Sequence, residues 1–324
     1  MFSLNNQTIK LCETPLWNTD KYPKQKHLDT NLNSGSRIFY FFGWNRSQIF
    51  AFLAKITPSM KTLNQTNLLP DIQSSADPRN IPIEYVGVRG VTVPVDVQSA
   101  SGIQHSVATV GMYVALPAQQ KGTHMSRFLG LLEQHQEPLS APSLMSLMAK
   151  MLETLEAREG RIDLDFPFFV KKKAPVSGLE SLMNYQVHLR VEHKNGQSWV
   201  EQTVTVPVTS LCPCSKEISK YGAHNQRSHI RIMAKIQGEL PLEEQIRYAE
   251  ESASCELWSG LKRVDEKYVT EHAYDNPKFV EDLIRDVAVA VNGDERIIAY
   301  RIEAENFESI HNHSAFAQIS RGEI

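Results

Sequence analysis

The sequence predicts an α+β fold in which antiparallel sheet is covered on one face by helices. Three observations carry this prediction: apolar residues at period two in several runs, amphipathic helical stretches between those runs, and an element order that reads as a structural repeat. The order is strands, helix, strands, then strand, helices, strands. A doubly wound sheet would instead alternate strand and helix strictly.

Taken in chain order, the folded body opens with two strands, Val91 to Val97 and then Ala108, Val110, Met112, Val114 and Leu116. Leu144, Leu147, Met148, Met151, Leu152 and Leu155 recur at helical spacing, with Ser140 and Pro142 as start signals, so this Met-rich stretch is a core-facing helix. Lys171 to Lys173 is a charge run that reads as a solvated loop. Met183, Tyr185, Val187, Leu189 and Val191 return to period two, cross a turn at Asn195 and Gly196, and resume through Val204, Val206 and Val208, which predicts a hairpin. Ile230, Ile232, Ala234 and Ile236 form a further strand. Two helices are expected next, Pro241 to Ser259 ending near Gly260, and Pro277 to Val291 between Asn276 and Gly293. Ile298, Tyr300 and Ile302 begin the last strand region.

Residues 1–69 lack this patterning and read as an N-terminal extension, separable from a body of residues 70–324; Met60 offers an alternative start, which would make the first 59 residues dispensable. The extension holds the most apolar stretch, Arg37 to Ile56, but Arg37, Asn45, Arg46, Gln48 and Lys55 interrupt it. It is therefore not a membrane span, and its distance from Met1 argues against a secretory signal.

At 324 residues, 41% hydrophobic and 22% charged, the chain is long enough for one compact body of two modules. A net charge of -3 provides no overall basic field for a nucleic-acid backbone, and no nucleic-acid partner is expected. Four cysteines in a chain of this length do not form the framework of a small secreted domain, so a cytoplasmic setting is expected.

The segment Ser210 to His229 gathers Cys212, Cys214, His224 and His229 between two strands. Thiolate and imidazole are good ligands for zinc and related first-row ions. Three readings stay open on these residues alone: a structural zinc site using all four, a redox cysteine pair, and an open catalytic metal site using part of the set. No GxxxxGK[ST] run follows a strand, so a bound nucleotide would need another phosphate-holding device.

Four segments, Asp71 to Ser75, Lys121 to Phe128, Ser210 to His229 and Asn306 to His313, together resemble the signature segments of the type IB GTP cyclohydrolase I family. The resemblance runs from about Asp71 to the C-terminus; the N-terminal extension departs from it. It implies a tunnelling fold with two tandem modules, about 70–209 and 210–324, whose barrels are completed by oligomerisation into a homotetramer with sites at subunit interfaces. It also implies a hydrolase that converts GTP and water to 7,8-dihydroneopterin triphosphate and formate, the first step of folate and pterin biosynthesis. A variant of the family makes a cyclic phosphate product, and a metal-stabilised binding module without catalysis is the rival from another class.

By the same resemblance, Cys212, His224 and Glu266 map onto metal-ligand positions, with Cys214 beside them; without the family, Glu266 would read as a solvated charge. This mixed set suits Mn²⁺, Fe²⁺, Mg²⁺ or Zn²⁺. The catalytic set is Cys212, Cys214 and His311, the last as a general acid or base because imidazole titrates near neutral pH. Glu308 resembles a purine anchor: a carboxylate accepts two parallel bonds from the N1-H and amino group of guanine. Lys121, His124, Ser126, Arg127, Lys216 and Arg227 are the motif residues able to meet a triphosphate.

Overall fold

The structure is a computed structural model that describes residues 71–324. The expected extension, residues 1–69, with the Arg37 to Ile56 stretch and Met60, lies outside the described residues. No helix among the described residues is long and apolar enough to cross a membrane.

In chain order the elements are β1 (Ile83–Ser99), β2 (Gly102–Leu116), α1 (Met125–Gln134), α2 (Ala141–Thr154), β3 (Gly160–Lys173), β4 (Glu180–Lys194), β5 (Gln197–Leu211), α3 (Pro213–Ile218), β6 (Asn225–Ile236), α4 (Leu242–Ser252), α5 (Arg263–Asp275), α6 (Val280–Asn292), β7 (Ile297–Asn306) and β8 (Ala315–Arg321). The strands form one eight-stranded sheet in the order of the sequence, and each neighbouring pair is antiparallel. Two strands, helices and two strands thus occur twice. The repeat turns over at Asn195 and Gly196, whose φ values of 53° and 74° suit a two-residue hairpin turn. The module boundary expected at 209/210 falls inside β5.

One parity of each strand from β2 to β7 is largely apolar and buried, and that of the edge strands β1 and β8 is partly buried. Ile162, Leu164, Phe166 and Phe168 of β3, Tyr185, Val187, Leu189 and Val191 of β4, and Ile230, Ile232 and Ala234 of β6 share one core with Leu144, Leu147, Met148 and Met151 of α2, Ile246 and Ala249 of α4, and Leu283, Val287 and Val291 of α6. The helices therefore cover one face of the sheet. Burying each large side chain contributes about 1.5–3 kcal/mol. The start of α2 follows its sequence signal: Ser140 Oγ accepts from Ser143 N at 3.3 Å and Ser143 Oγ accepts from Ser140 N at 2.9 Å.

Three expectations need correction. The helix expected over Pro241 to Ser259 ends at Ser252, because the next residues leave the helix to pair with β5. Thr209 N donates to Cys255 O at 2.9 Å, Cys255 N donates to Thr209 O at 3.3 Å, and Leu211 N donates to Ser254 Oγ at 3.2 Å. A helix not expected at all, α5, then follows. Its only buried residues are Asp265 and Ala273, so it shows little apolar periodicity; its anchor is polar instead. Asp265 Oδ1 accepts from the backbone of Val176 at 2.9 Å and Ser177 at 2.8 Å, and Oδ2 accepts from Ser177 Oγ at 2.6 Å and Lys262 N at 2.9 Å.

Third, Lys171 to Lys173 is the end of β3 and not a loop, and Lys172 is only 8% exposed. Its ammonium donates to Glu250 Oε1 at 2.8 Å and Leu257 O at 2.7 Å, pairs with Glu256, and lies 4.8 Å from the centre of the Trp258 ring. Tyr185 Oη donates to the same Glu250 oxygen at 2.6 Å. Burial pushes the Glu250 carboxyl above its ordinary range despite the Lys172 charge.

The helix-free face carries charge. Asp163 accepts from Arg190 Nε at 2.8 Å and Arg161 Nε at 2.9 Å, and His188 stands 3.5 Å away. Burial pushes the Asp163 carboxyl up, but the hydrogen bonds from His188 and Arg190 and the charges of Arg190 and Arg161 outweigh it and bring it down to about 2. A depressed carboxyl stabilises the fold above its unfolded pKa of about 3.9 and loses that contribution as pH falls through the folded value. Asp163→Asn is therefore expected to flatten the dependence of thermal midpoint on pH between about pH 4 and about pH 2. Parallel curves for the two proteins would refute this.

Candidate active site

Strand register places most of the chemistry at one end of the sheet. The β5–β6 ladder closes with Leu211 opposite Asn225, so Cys212 and His224 are the next residue on each side. The β6–β7 ladder closes with Ser228 opposite Asn306, and Phe307 N continues it by donating to Arg227 O at 2.9 Å. This brings the Glu308 and Ser309 loop beside the start of β6. Gln226 Nε2 donates to Glu308 Oε1 at 2.8 Å, and Ser309 Oγ contacts His224 Nδ1 at 2.8 Å.

A buried polar row underlies these residues. Ser210 Oγ and Ser228 Oγ are 2.7 Å apart, and Ser228 Oγ donates to Asn306 Oδ1 at 2.7 Å. The row ties β5, β6 and β7 together close to Cys212, His224 and Glu308. Ser210, Gln226, Ser228, Asn306 and Ser309 were not singled out individually from the sequence. A signal was present for Ser210, Gln226 and Ser228, since they continue the buried parity of Val206 and Val208, and of Ile230 and Ile232, with polar side chains.

Cys212 is half-buried at the start of α3, whereas Cys214 is exposed. Cys255 is buried, and burial together with the Glu256 charge pushes its thiol up to about 11, which makes it a poor nucleophile. His311 is exposed in the β7–β8 loop and stacks on His313 with ring centres 5.2 Å apart. Lys216, also on α3, donates to Tyr274 O, with its ammonium 4.3 Å from the centre of the Tyr274 ring. Arg227 is exposed.

The other motif residues lie elsewhere. Gly122 N donates to Gln73 O at 3.0 Å and Lys121 N donates to Ser75 O at 3.1 Å, so the Asp71 to Ser75 and Lys121 to Phe128 segments meet each other. His124 Nε2 stands 3.2 Å from Asp71 Oδ2, Ser126 lies in the first turn of α1, and Arg127 Nη1 donates to Thr154 O at 3.0 Å. These residues follow Leu116, which ends β2 opposite Ile83. That end of the sheet continues through Gly160, His193, Gln197 and Ile236, whereas Leu211 ends β5 on the other side. The two groups are thus separated along strands of roughly 45 Å. Within one chain, His124, Ser126 and Arg127 do not join Cys212, His224 and Glu308.

The expected metal set is assembled only in part. Cys212 and His224 flank the same ladder end, and with Nδ1 on Ser309 the His224 ring keeps Nε2 as its other ligating nitrogen. A thiolate and an imidazole suit a first-row divalent ion. Glu266 does not complete the set: it is exposed on α5, and no three His, Cys, Asp or Glu side chains converge to hold a metal ion among the described residues. The reason is local. Asp265 turns inward to the β3–β4 turn, and neighbouring helix residues point about 100° apart, so Glu266 faces solvent. His229 does not join Cys212, Cys214 and His224 in a four-ligand zinc site either. It packs edge-on against Phe307 with ring centres 4.8 Å apart, and burial and the Arg227 charge hold its pKa below the usual imidazole value.

Comparison with known proteins bears on this arrangement. A family model described as type I GTP cyclohydrolase folE2 matches residues 69–317. The chain is 59% identical over 262 residues to GTP cyclohydrolase FolE2 of Cupriavidus pinatubonensis, covering 81% of this chain and 97% of that protein. It is 59% identical over 262 residues to GTP cyclohydrolase FolE2 of Ralstonia nicotianae, covering 81% and 98%. It is 60% identical over 253 residues to the protein of the same name from Herminiimonas arsenicoxydans, covering 78% and 97%. Since the family match takes in all four motif segments and nearly the whole eight-stranded sheet, the chain belongs to the type I GTP cyclohydrolase FolE2 family.

Proposed function

We propose that this chain is a GTP cyclohydrolase that converts GTP and water to 7,8-dihydroneopterin triphosphate and formate, opening folate and pterin biosynthesis. The observation that carries the reading is the meeting of Cys212, His224, Ser309 and the Gln226–Glu308 pair at one end of the sheet. Glu308 has one oxygen held by Gln226 and serves as the acceptor for the N1-H and amino group of guanine, which adenine cannot match. His311 moves protons as the imidazole ring opens, and Cys214, two residues after Cys212 on α3, assists. A divalent cation of the manganese, iron, magnesium or zinc type would be held by Cys212 and His224 and would supply Lewis acidity there.

Three of the triphosphate residues are assigned to a different copy of the chain. His124, Ser126 and Arg127 lie at the far end of the sheet, so a complete site would need the far end of a second subunit, with Lys216 and Arg227 supplied by the first. β1 and β8 are the sheet edges, and joining such edges between copies would satisfy their unpaired backbone groups while closing a tunnelling-fold barrel. A homotetramer is the proposed assembly, and the cytoplasm, where thiols such as Cys212 and Cys214 stay reduced, is the proposed setting. Sedimentation at assay concentration should show a tetramer carrying the activity; a fully active monomer would overturn the shared site.

Incubation of the purified protein with GTP and a panel of divalent ions, followed by oxidation, should give pterin fluorescence. Glu308→Ala is expected to weaken GTP binding by on the order of a few kcal/mol without changing metal content. His311→Ala should keep GTP binding, lose roughly a hundredfold in turnover and lose one limb of the pH profile. Absence of a pterin product with every ion tested would defeat the reading.

A further inference from the structure

The segment between Cys212 and His224 carries the two most exposed large hydrophobic side chains among the described residues, Ile218 at 83% and Tyr221 at 100% exposure. The turn that presents them is fixed locally. Tyr221 N donates to Ser219 Oγ at 3.2 Å, and Gly222 follows at a φ of 102°, which favours glycine. Tyrosine is enriched where proteins meet, because its body is apolar and its tip can stay hydrogen-bonded.

The opposite end of the sheet holds a cavity of about 650 Å³ between the start of β1, the end of β2 and the end of α2. Val114, Leu116 and Leu155 form buried apolar walls, and the cavity reaches Thr123, the residue before His124. Glu84, Glu156 and Glu159 also line it, with Arg158, so its balance is acidic, whereas the exposed Lys220 precedes Tyr221. Tyr221 cannot enter this cavity within its own chain, because strands of roughly 45 Å separate the two ends.

We propose that Ile218 and Tyr221 of one copy of the chain seat in this cavity of a second copy, bringing Cys212, His224 and Glu308 of the first to His124, Ser126 and Arg127 of the second. The proposal rests on the shared-site reading given above and names the contact that holds the two halves together. The apolar walls take Ile218 and the Tyr221 ring, Tyr221 Oη donates to a carboxylate of the cavity, and Lys220 meets the remaining acidic charge. Tyr221 is three residues before His224 and Thr123 is one before His124, so this contact sets the halves of the site side by side.

The test uses the full-length protein, with sedimentation for assembly, GTP turnover for activity and thermal midpoints as the check on folding. Tyr221→Ala removes the plug and Ala157→Trp fills the cavity, and each alone is expected to weaken assembly and lower turnover roughly tenfold or more. Tyr221→Phe, which keeps the ring, should retain most of both. Co-expression of the Tyr221→Ala and Ala157→Trp chains should recover activity, because Tyr221 of one variant then meets the open cavity of the other. A Tyr221→Ala protein that assembles and turns over GTP like the wild type, or a co-expressed pair no more active than its parts, would overturn the proposal. If Ala157→Trp does not fold, Gln119→Trp, at an exposed position lining the same cavity, is held to the same outcomes. Failure of the underlying reading looks different. Co-expressed His124→Ala and His224→Ala chains would then restore no activity, whereas recovery there beside none for the Tyr221 and Ala157 pair leaves the shared site standing without this contact.

Discussion

Cys212→Ala and His224→Ala are each expected to lower GTP turnover roughly a thousandfold or more, about 4 kcal/mol of transition-state stabilisation, while the protein stays folded. Both residues lie just past the last paired positions of β5 and β6. The strand ends below them are held independently by Ser210, Ser228 and Asn306, and the main core is far larger than either side chain. Metal content should fall with activity in both variants, and thermal midpoints should move little. A binding module stabilised by structural zinc makes the opposite prediction, with Cys212, Cys214, His224 and His229 behaving alike and each substitution unfolding the chain. Four equally unfolded variants would sink the catalytic assignment. The contact of His229 with Phe307, apart from any ligand group, already separates it from the other three.

The largest stability effect is expected from Lys172→Ala, on the order of 3–5 kcal/mol, read as a lower denaturant midpoint with an unchanged slope. The substitution removes the cation that faces Glu250 and Glu256 and leaves the backbone oxygen of Leu257 without its donor. Most of the loss is the cost of stranding buried carboxylate and not the intrinsic strength of the pair, so Lys172→Met combined with Glu250→Gln should recover much of it. The effect reaches the active end through the chain. The segment following α4 supplies Leu257 to Lys172, and it also pairs through Ser254 and Cys255 with Thr209 and Leu211, next to Cys212. A variant at Lys172 that kept the wild-type midpoint would show that this ion cluster does not support the fold.

Much of the sheet was legible because its signals are local. Period-two patterning, the turn at Asn195 and Gly196, and the cap at Ser140 each involve residues near one another in sequence, and each appears in the structure as expected. Some elements were missed although their apolar spacing was present, β3 with Ile162, Leu164, Phe166 and Phe168 and α1 with Phe128 and Leu131, and others because the signal was not apolar. The helix α5 is anchored by one aspartate, and β3 ends in three lysines of which the middle one is buried with counter-charges from Glu250 and Glu256.

From the sequence alone came the α+β class, the strand order around the Cys212 to His229 segment, and the four motif segments that point to the FolE2 family. Which of those motif residues share a place in one chain was decided only by tertiary structure. Antiparallel register alternates strand ends, so Leu116 and Leu211 finish at opposite ends of the same sheet, and the residues that follow them cannot meet within one chain. The inward turn of Asp265 in place of Glu266, the burial of Lys172, and the meeting of Gln226 with Glu308 are likewise products of long-range packing. Periodicity records which face a residue occupies; the partner on that face comes from a distant strand, whose position depends on every ladder in between.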